Sequence, residues 1–329
     1  MSRLSAMLWN AVLLAHERFL PDYPGKGRAF ERVVHRARPA WKDPCVVRRR
    51  GILYELDRRR ARMEMDIYYD RFEVPETKFI RRCVKPGWTV IDVGANLGHY
   101  TLVLSKLVGP RGRVYAFEPS TLNHKMLSKN IELNGATNVR AFQLALGAQQ
   151  GVVPLTQSPK GRHELTRVTT VGEATECVPV TTLDRFASEH DLRLVDLIKM
   201  DIEGSELFFL QGAAGLLERC APILLFELHP LLLSAFGAHP SDVANTLQRY
   251  GYSLFVARRR GLDLLSHLPR SEDIHVVAVA PGRSELEALR PTLLGRLLTA
   301  CRIWKPPGSS HRRIRNAPAC AGALQIQPY

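Results

Sequence analysis

The segment Val90-Ile91-Asp92-Val93-Gly94-Ala95-Asn96-Leu97-Gly98 constrains this 329-residue chain more than any other. A short apolar run reads as a buried strand and ends in a glycine turn. The turn opens into a stretch that carries Leu97, Thr101, Leu104 and Val108 on one helical stripe. A strand entering a helix through so tight a turn is the opening unit of a parallel α/β sheet. Glycine permits close backbone approach there, and the helix N-terminus offers unpaired N–H groups with a partial positive charge.

The same alternation continues downstream. Strands are expected at residues 89–93, 113–117, 139–146, 194–200 and 223–228, as apolar runs buried on both faces. Helices are expected at 97–108, closed by Gly109-Pro110, at 120–133, capped by Ser120 and ended by Gly135, and at 203–219. Then the rhythm changes. A helix at 242–250 with Ser241 as its cap precedes strands at 252–257 and 274–280, joined across Arg258-Arg259-Arg260-Gly261, which suits a closing antiparallel pair. Ahead of the core, 45–72 alternates apolar and charged residues (Ile52, Tyr54, Leu56, then Met63, Met65, Ile67, Tyr69), which predicts a small antiparallel β unit. The expected organisation is a basic helical segment at 1–44, a β-rich lead-in at 45–87, a catalytic domain at 88–280 and a basic tail at 281–329.

Composition narrows the class. Hydrophobic residues at 45% and charged residues at 24% exclude wholesale disorder and fibrous repeats. No apolar run reaches the ~20 residues of a membrane span. Leu4 to Ala15 is apolar but broken by Asn10 and followed by His16-Glu17-Arg18, so it reads as an amphipathic helix and not a secretory signal. The six cysteines form no C-x-x-C pair, which fits a reducing, cytoplasmic setting and argues against a zinc ribbon.

The net charge of +14 is unevenly placed. Residues 1–87 hold 20 Lys+Arg against 11 Asp+Glu, 281–329 hold 8 against 2, and 88–280 hold 18 against 19. Basicity therefore belongs to the arms. With the apolar face near Met7–Leu14 it suggests peripheral docking on an anionic membrane surface, at the inner face.

Four segments carry chemistry. In the first, a dinucleotide site would need G-x-G-x-x-G from Gly94, but Asn96 and His99 hold the second and third positions. The D-x-G-x-N-x-G form resembles the first motif of Rossmann-like S-adenosylmethionine methyltransferases. Backbone N–H groups there could hold the cofactor carboxylate, and Asp92 could serve its ammonium. In the second, Tyr115-Ala116-Phe117-Glu118-Pro119 sets a carboxylate at a strand tip, where an acid can accept ribose hydroxyls. In the third, Leu197-Ile198-Lys199-Met200-Asp201-Ile202-Glu203-Gly204 ends a buried strand in two acids, which otherwise could serve as anions in a helix's first turn. In the fourth, Phe226-Glu227-Leu228-His229 brings an acid and a histidine to a strand end, and histidine suits general-base work near neutrality.

Together these segments, with Thr182-Leu183-Asp184-Arg185-Phe186 and the lead-in Ile67–Glu73 and Pro75-Glu76-Thr77, resemble the FkbM-type methyltransferases over roughly residues 45–280. The resemblance implies a Rossmann-like methyltransferase fold, with a mostly parallel doubly wound sheet and a closing antiparallel strand. It implies S-adenosylmethionine as cofactor and methyl transfer to a hydroxyl of a sugar, glycolipid or natural product. Cofactor contacts are expected from Asp92, Gly94, Ala95, Asn96, Gly98, Thr101, Glu118, Pro119 and Asp201. His229 is the expected base, with Asp201, Glu203, Glu227 and Lys199 around the reacting groups. A divalent metal on Asp201, Glu227 and a neighbour is compatible with carboxylate chemistry but is not called for by a dense ligand cluster. Nucleic-acid methylation, suggested by the basic arms, lacks both an Asn/Asp-Pro-Pro-aromatic motif and a cysteine nucleophile after the fourth strand of the core. A degenerate binding module that keeps only the fold is the non-enzymatic alternative.

Overall fold

The computed structural model describes residues 44–57, 62–70, 72–156, 167–168, 174–258 and 261–282. The helix expected around Met7–Leu14, the Lys305–Ser310 stretch and the basic tail lie outside them. Among the described residues no helix is long and apolar enough to cross a membrane.

The core is an eight-stranded sheet. Its strands are β3 (Thr89–Val93), β4 (Arg113–Phe117), β5 (Val139–Phe142), β10 (Leu197–Met200), β11 (Ile223–Leu228), β12 (Ser253–Arg258), β13 (Gly261–Leu264) and β14 (Ile274–Val279), in the order β13-β12-β14-β11-β10-β3-β4-β5. Strands β11, β10, β3, β4 and β5 are parallel, and β14, β12 and β13 close the sheet antiparallel. The chain builds outward from β3 through β4 and β5, then returns to lay β10 on the other side of β3. That reversal opens a crevice at the carboxyl ends of β3 and β10, where open α/β sheets bind ligands.

Period-two alternation sorts each strand's residues between two cores. Ile91, Tyr115, Ile198, Leu224 and Phe226 join one apolar cluster, in which Phe186 stands edge-on to Phe117 at 4.7 Å. Helices α5 (Leu183–Glu189), α6 (Glu206–Gly212), α7 (Ala214–Cys220) and α9 (Pro240–Arg249) contribute to that cluster. Val90, Val114, Leu197, Leu225 and Val277 join the other, with α2 (Val74–Cys83), α3 (His99–Val108) and the hairpin β1 (Cys45–Arg49)–β2 (Ile52–Leu56). Burying one large apolar side chain contributes about 1.5–3 kcal/mol, so both faces hold the sheet and neither is a veneer. The hairpin docks through two asparagines of α4 (Thr121–Leu133) and the residue after it. Asn130 Oδ1 accepts from the Glu55 N–H at 2.8 Å, and Asn134 Oδ1 from the Leu53 N–H at 2.9 Å.

Several expectations are corrected. The lead-in opens with the expected hairpin, but Met63 to Tyr68 belongs to helix α1 (Arg62–Tyr68), because its apolar residues pack as a helical face against the hairpin side of the core. The run 139–146 breaks after Phe142. Ala145–Leu146 form β6 of a second, four-stranded sheet with β9 (Glu176–Thr181), β7 (Gly151–Thr156) and β8 (Arg167–Val168), which the sequence did not signal. The strand expected from Leu194 starts at Leu197, with Leu194 exposed. The helix expected at 203–219 begins at Glu206 and breaks at Ala213. A Cβ on Gly212 would lie 1.9 Å from the Gly147 carbonyl oxygen, so chain contact with the second sheet fixes that break. Helix α9 starts at Pro240 with His239 as its cap, and Asp242 accepts from the His239 N–H at 2.8 Å, in place of the expected Ser241 cap. Ser120 does occupy the cap position of α4, yet its buried hydroxyl has no partner. Strand β13, unexpected, forms a hairpin with β12 on the sheet's edge.

Candidate active site

Two clefts open at the carboxyl ends of the parallel strands, and Asp201 lines both. The larger encloses about 640 Å³, open solvent included, between Gly94, Asn96, Glu118, Pro119 and Asn123 on one side and Asp201, Ile202, Glu203 and Ser205 on the other. Leu144, Leu146 and Leu155 give it an apolar wall.

The turn after β3 is tied down from both sides. Gly94 has φ 76°, and a Cβ there would lie 1.9 Å from the Asp201 carbonyl oxygen. The N–H groups of Gly94 and Ala95 both donate to the Phe117 carbonyl, at 2.9 and 3.0 Å. The Asn96 N–H donates to Glu118 Oε2 at 2.8 Å, and the Gly98 N–H to the Ala95 carbonyl at 2.8 Å. These donors, expected to face a ligand, are engaged inside the protein. What the turn presents to the cleft is the Glu118 carboxyl, whose Oε1 also accepts from the Ser120 N–H at 3.0 Å. Burial raises the Glu118 pKa to about 7, against the hydrogen bonds from Asn96, Ser120 and Asn123.

Strand alternation turns Asp92, Lys199 and Glu227 toward the other face, under α2 and α3. Asp92 and Lys199 are register partners on neighbouring strands. Asp92 is fully buried and accepts from Thr101 Oγ1 at 2.6 Å, while its Oδ1 has no hydrogen-bond partner. Neither Asp92, Thr101, Ala95 nor Gly98 lines the larger cleft. Thr101 and Asp92 therefore brace the start of α3 from beneath.

The second cleft, about 200 Å³ with solvent included, is lined by Glu73, Glu76, Tyr100, Lys199, Asp201, Glu227 and His275. Lys199 Nζ is 3.2 Å from Asp201 Oδ2 and 4.6 Å from the centroid of the Tyr100 ring. Burial opposes its charge, but Asp201, Asp92 and Glu73 outweigh that and hold its pKa above the ordinary value. Tyr100 donates its hydroxyl to Glu73. Burial and the Asp201 charge raise Glu73 to about 6. Burial, with Asp201 and Glu203 next, raises Glu227 to about 9. Glu227 is thus protonated near neutrality, suited to donating a hydrogen bond and not to accepting a proton. Ligand atoms of Glu73, Glu76 and His275 lie within 4.8 Å of one another, a grouping that does not include Asp201 or Glu227, the carboxylates the sequence offered as compatible with a metal without calling for one.

His229 caps α8 (Pro230–Ala235) and is half-buried, with Nδ1 enclosed and without a hydrogen-bond partner. It lines neither cleft. Glu203 lines the larger one, held in the left-handed region at φ 52°. Sequence reasoning missed Asn123, Glu73, Tyr100 and His275. Asn123 had a local signal, since it falls in the first turn of the helix after Glu118-Pro119, and Glu73 closes the lead-in that carried the resemblance.

Thr182-Leu183-Asp184-Arg185-Phe186 is structural. Thr182 Oγ1 accepts from the Arg185 N–H at 3.1 Å and caps α5. The Asp184 carboxylate accepts from the N–H groups of Gly215 and Leu216 at 2.8 and 2.7 Å, at the start of α7. Phe186 fills the core beneath β4.

Residues 92–254 match the model of the methyltransferase FkbM domain. Methyltransferase sdnD of Sordaria araneosa is 28% identical over 178 residues, covering 45% of this chain and 64% of that protein. Hexuronic acid methyltransferase AglP of Haloferax volcanii is 26% identical over 156 residues, covering 47% and 59%. This chain thus spans somewhat under two thirds of the length of these curated relatives. The crystal structure of methyltransferase FkbM from Methylobacillus flagellatus superposes with a TM-score of 0.34 at 15% identity, covering 84% of this chain and 59% of that one. Strands β4, β5, β10 and β11, the Gly94 turn and Glu118 at the tip of β4 lie within the matched span, and residues 92–254 are an FkbM methyltransferase domain.

Proposed function

We propose that the protein transfers a methyl group from S-adenosylmethionine to a hydroxyl oxygen of a sugar, glycolipid or natural-product acceptor, with residues 88–280 as the catalytic domain. The observation that carries this is the Glu118 carboxyl, fixed by the N–H groups of Asn96 and Ser120 in the lining of the larger cleft. It sits beside a leucine wall that suits a flat apolar base. The donor set fits the cofactor. Glu118 would accept the ribose hydroxyls, Leu144, Leu146 and Leu155 would flank adenine, and Asp201 and Glu203 would lie toward the methionine end.

The cofactor supplies an electrophilic methyl group on a sulfonium, and its transfer is an in-line displacement in which positioning does much of the work. An alcohol needs its proton removed, so a base must come within hydrogen-bond reach. Asp201 belongs to both clefts and is 30% exposed at its side chain, which favours it over His229 for that role. Lys199 Nζ donates to it at 3.2 Å and holds its carboxylate in place. Glu227, protonated, would donate to the acceptor. Sugar chemistry draws support from the hexuronic acid methyltransferase among the relatives.

Calorimetry of the purified chain with S-adenosylhomocysteine and with NAD tests the cofactor. Binding of the first and not the second is expected, and the reverse would sink the reading. With an acceptor in hand, Asp201→Asn should lower kcat roughly 10²–10⁴-fold, and His229→Ala should retain most of it. The opposite pattern returns the base to His229.

A further inference from the structure

Helix α2 carries Val74, Thr77, Lys78 and Arg81 at the i, i+3, i+4, i+7 spacing that places them on one face. That face borders a cavity whose lining also includes the apolar Ile52, Ile67 and Val103. With Tyr54 of β2, Phe72 and His99 it lines this cavity of about 440 Å³, open solvent included, which shares no lining residue with either cleft described above. The Tyr54 and His99 rings stack at 5.9 Å, and Phe72 stands edge-on to His99 at 5.1 Å.

Three buried polar atoms of these lining residues have no hydrogen-bond partner: Thr77 Oγ1, Arg81 Nε and His99 Nε2. Thr77 is only 7% exposed. Native proteins leave few such atoms unpaired, and three around one cavity point to a ligand. Their chemistry agrees on its sign. The Tyr54 hydroxyl lies 3.2 Å from His99 Nδ1, and when it donates there the imidazole proton resides on Nε2. Burial lowers the His99 pKa to about 3, so the ring is neutral and has one N–H to give. Arg50 is occupied by Asp70 at 2.7 Å and Arg49 by the Tyr68 carbonyl at 2.5 Å. Among the described residues neither Lys78 nor Arg81 is in an ion pair.

An arginine, a lysine, a hydroxyl and an imidazole N–H around one space make a set of donors with excess positive charge. A carboxylate offers two oxygens, whereas a phosphate offers three or four and can use every donor present. We propose that this cavity binds a phosphate group, held by Arg81, Lys78, Thr77 and His99, with the Tyr54 and Phe72 rings flanking whatever the phosphate is attached to. The proposal does not depend on the methyl-transfer reading.

Calorimetry of the full chain with inorganic phosphate and with glucose 1-phosphate, in chloride of matched ionic strength, tests it. Both should bind. Thr77→Val, which keeps the shape of the side chain, and Lys78→Met and Arg81→Met should each weaken binding roughly tenfold or more. Affinity for S-adenosylhomocysteine should stay unchanged in all three. Tighter binding of glucose 1-phosphate assigns the site to a phosphorylated sugar, and equal binding assigns it to free phosphate. Absence of binding by both, or binding undiminished in all three variants, overturns the proposal.

Discussion

Gly94 packs its bare α-carbon against the backbone carbonyl of Asp201, so closely that a Cβ would lie 1.9 Å from that oxygen. The contact joins the turn after β3 to the end of β10 across the sheet's crevice. The glycine is therefore required by the protein's own backbone, whatever ligand the cleft accepts. Gly94→Ala meets both this clash and a left-handed backbone at φ 76°. It should cost roughly 2–4 kcal/mol of stability, read by chemical denaturation, and abolish S-adenosylhomocysteine binding. A variant as stable as the parent would show that the turn can yield.

Glu118 should make cofactor binding pH-dependent. Burial raises its carboxyl to about 7 from an ordinary 4.5. Ribose hydroxyls donate, so they favour the ionised form, and affinity should rise as pH climbs through about 7. Between pH 6 and 8 the dissociation constant for S-adenosylhomocysteine should fall by up to roughly tenfold. Glu118→Gln should bind more weakly and lose this dependence. A pH-independent parent would remove Glu118 from the ribose site.

Glu227 should destabilise the folded protein as pH rises. Its folded pKa of about 9 lies above the ordinary 4.5, so the native state keeps a proton that the unfolded chain has released. Stability from this group is present below about pH 4.5 and is lost progressively up to about 9. Glu227→Gln, neutral throughout, should raise Tm relative to the parent by an amount that grows over that window. A constant difference, or none, would mean that Glu227 ionises normally.

Asp184→Ala should uncouple stability from binding. The variant loses two hydrogen bonds to the N–H groups that open α7, at a cost of about 1–3 kcal/mol, while Glu118 and the cleft are untouched. Thermal denaturation should therefore shift with S-adenosylhomocysteine affinity preserved. Weakened affinity at full stability would give this motif a role at the site.

The sheet was legible because each buried strand is a short apolar run bounded by turn residues, and β3, β4 and β11 need no correction. The small second sheet was not, since Gly151–Thr156 and Glu176–Thr181 are half-exposed and mix glycine, proline and polar residues among the apolar ones. The lead-in misled for a related reason. Met63, Met65, Ile67 and Tyr69 alternate as a strand would, but contact with the hairpin side of the core decided for a helix.

What the sequence determined by itself is local: the glycine turn, the carboxylate at the tip of β4, and the two acids after β10. Tertiary structure decided which of these share a cleft. Two-residue alternation sends Asp92 and Lys199 beneath α3, while Glu118, of the same parity but beyond the end of β4, lines the larger cleft. It also set Glu73, Tyr100 and His275 beside Asp201, from segments that run from α2 to the last strand. Burial among those neighbours, and not residue type, then fixed which carboxyls are charged. Such long-range proximity and the desolvation that comes with it have no signature in any single stretch of chain.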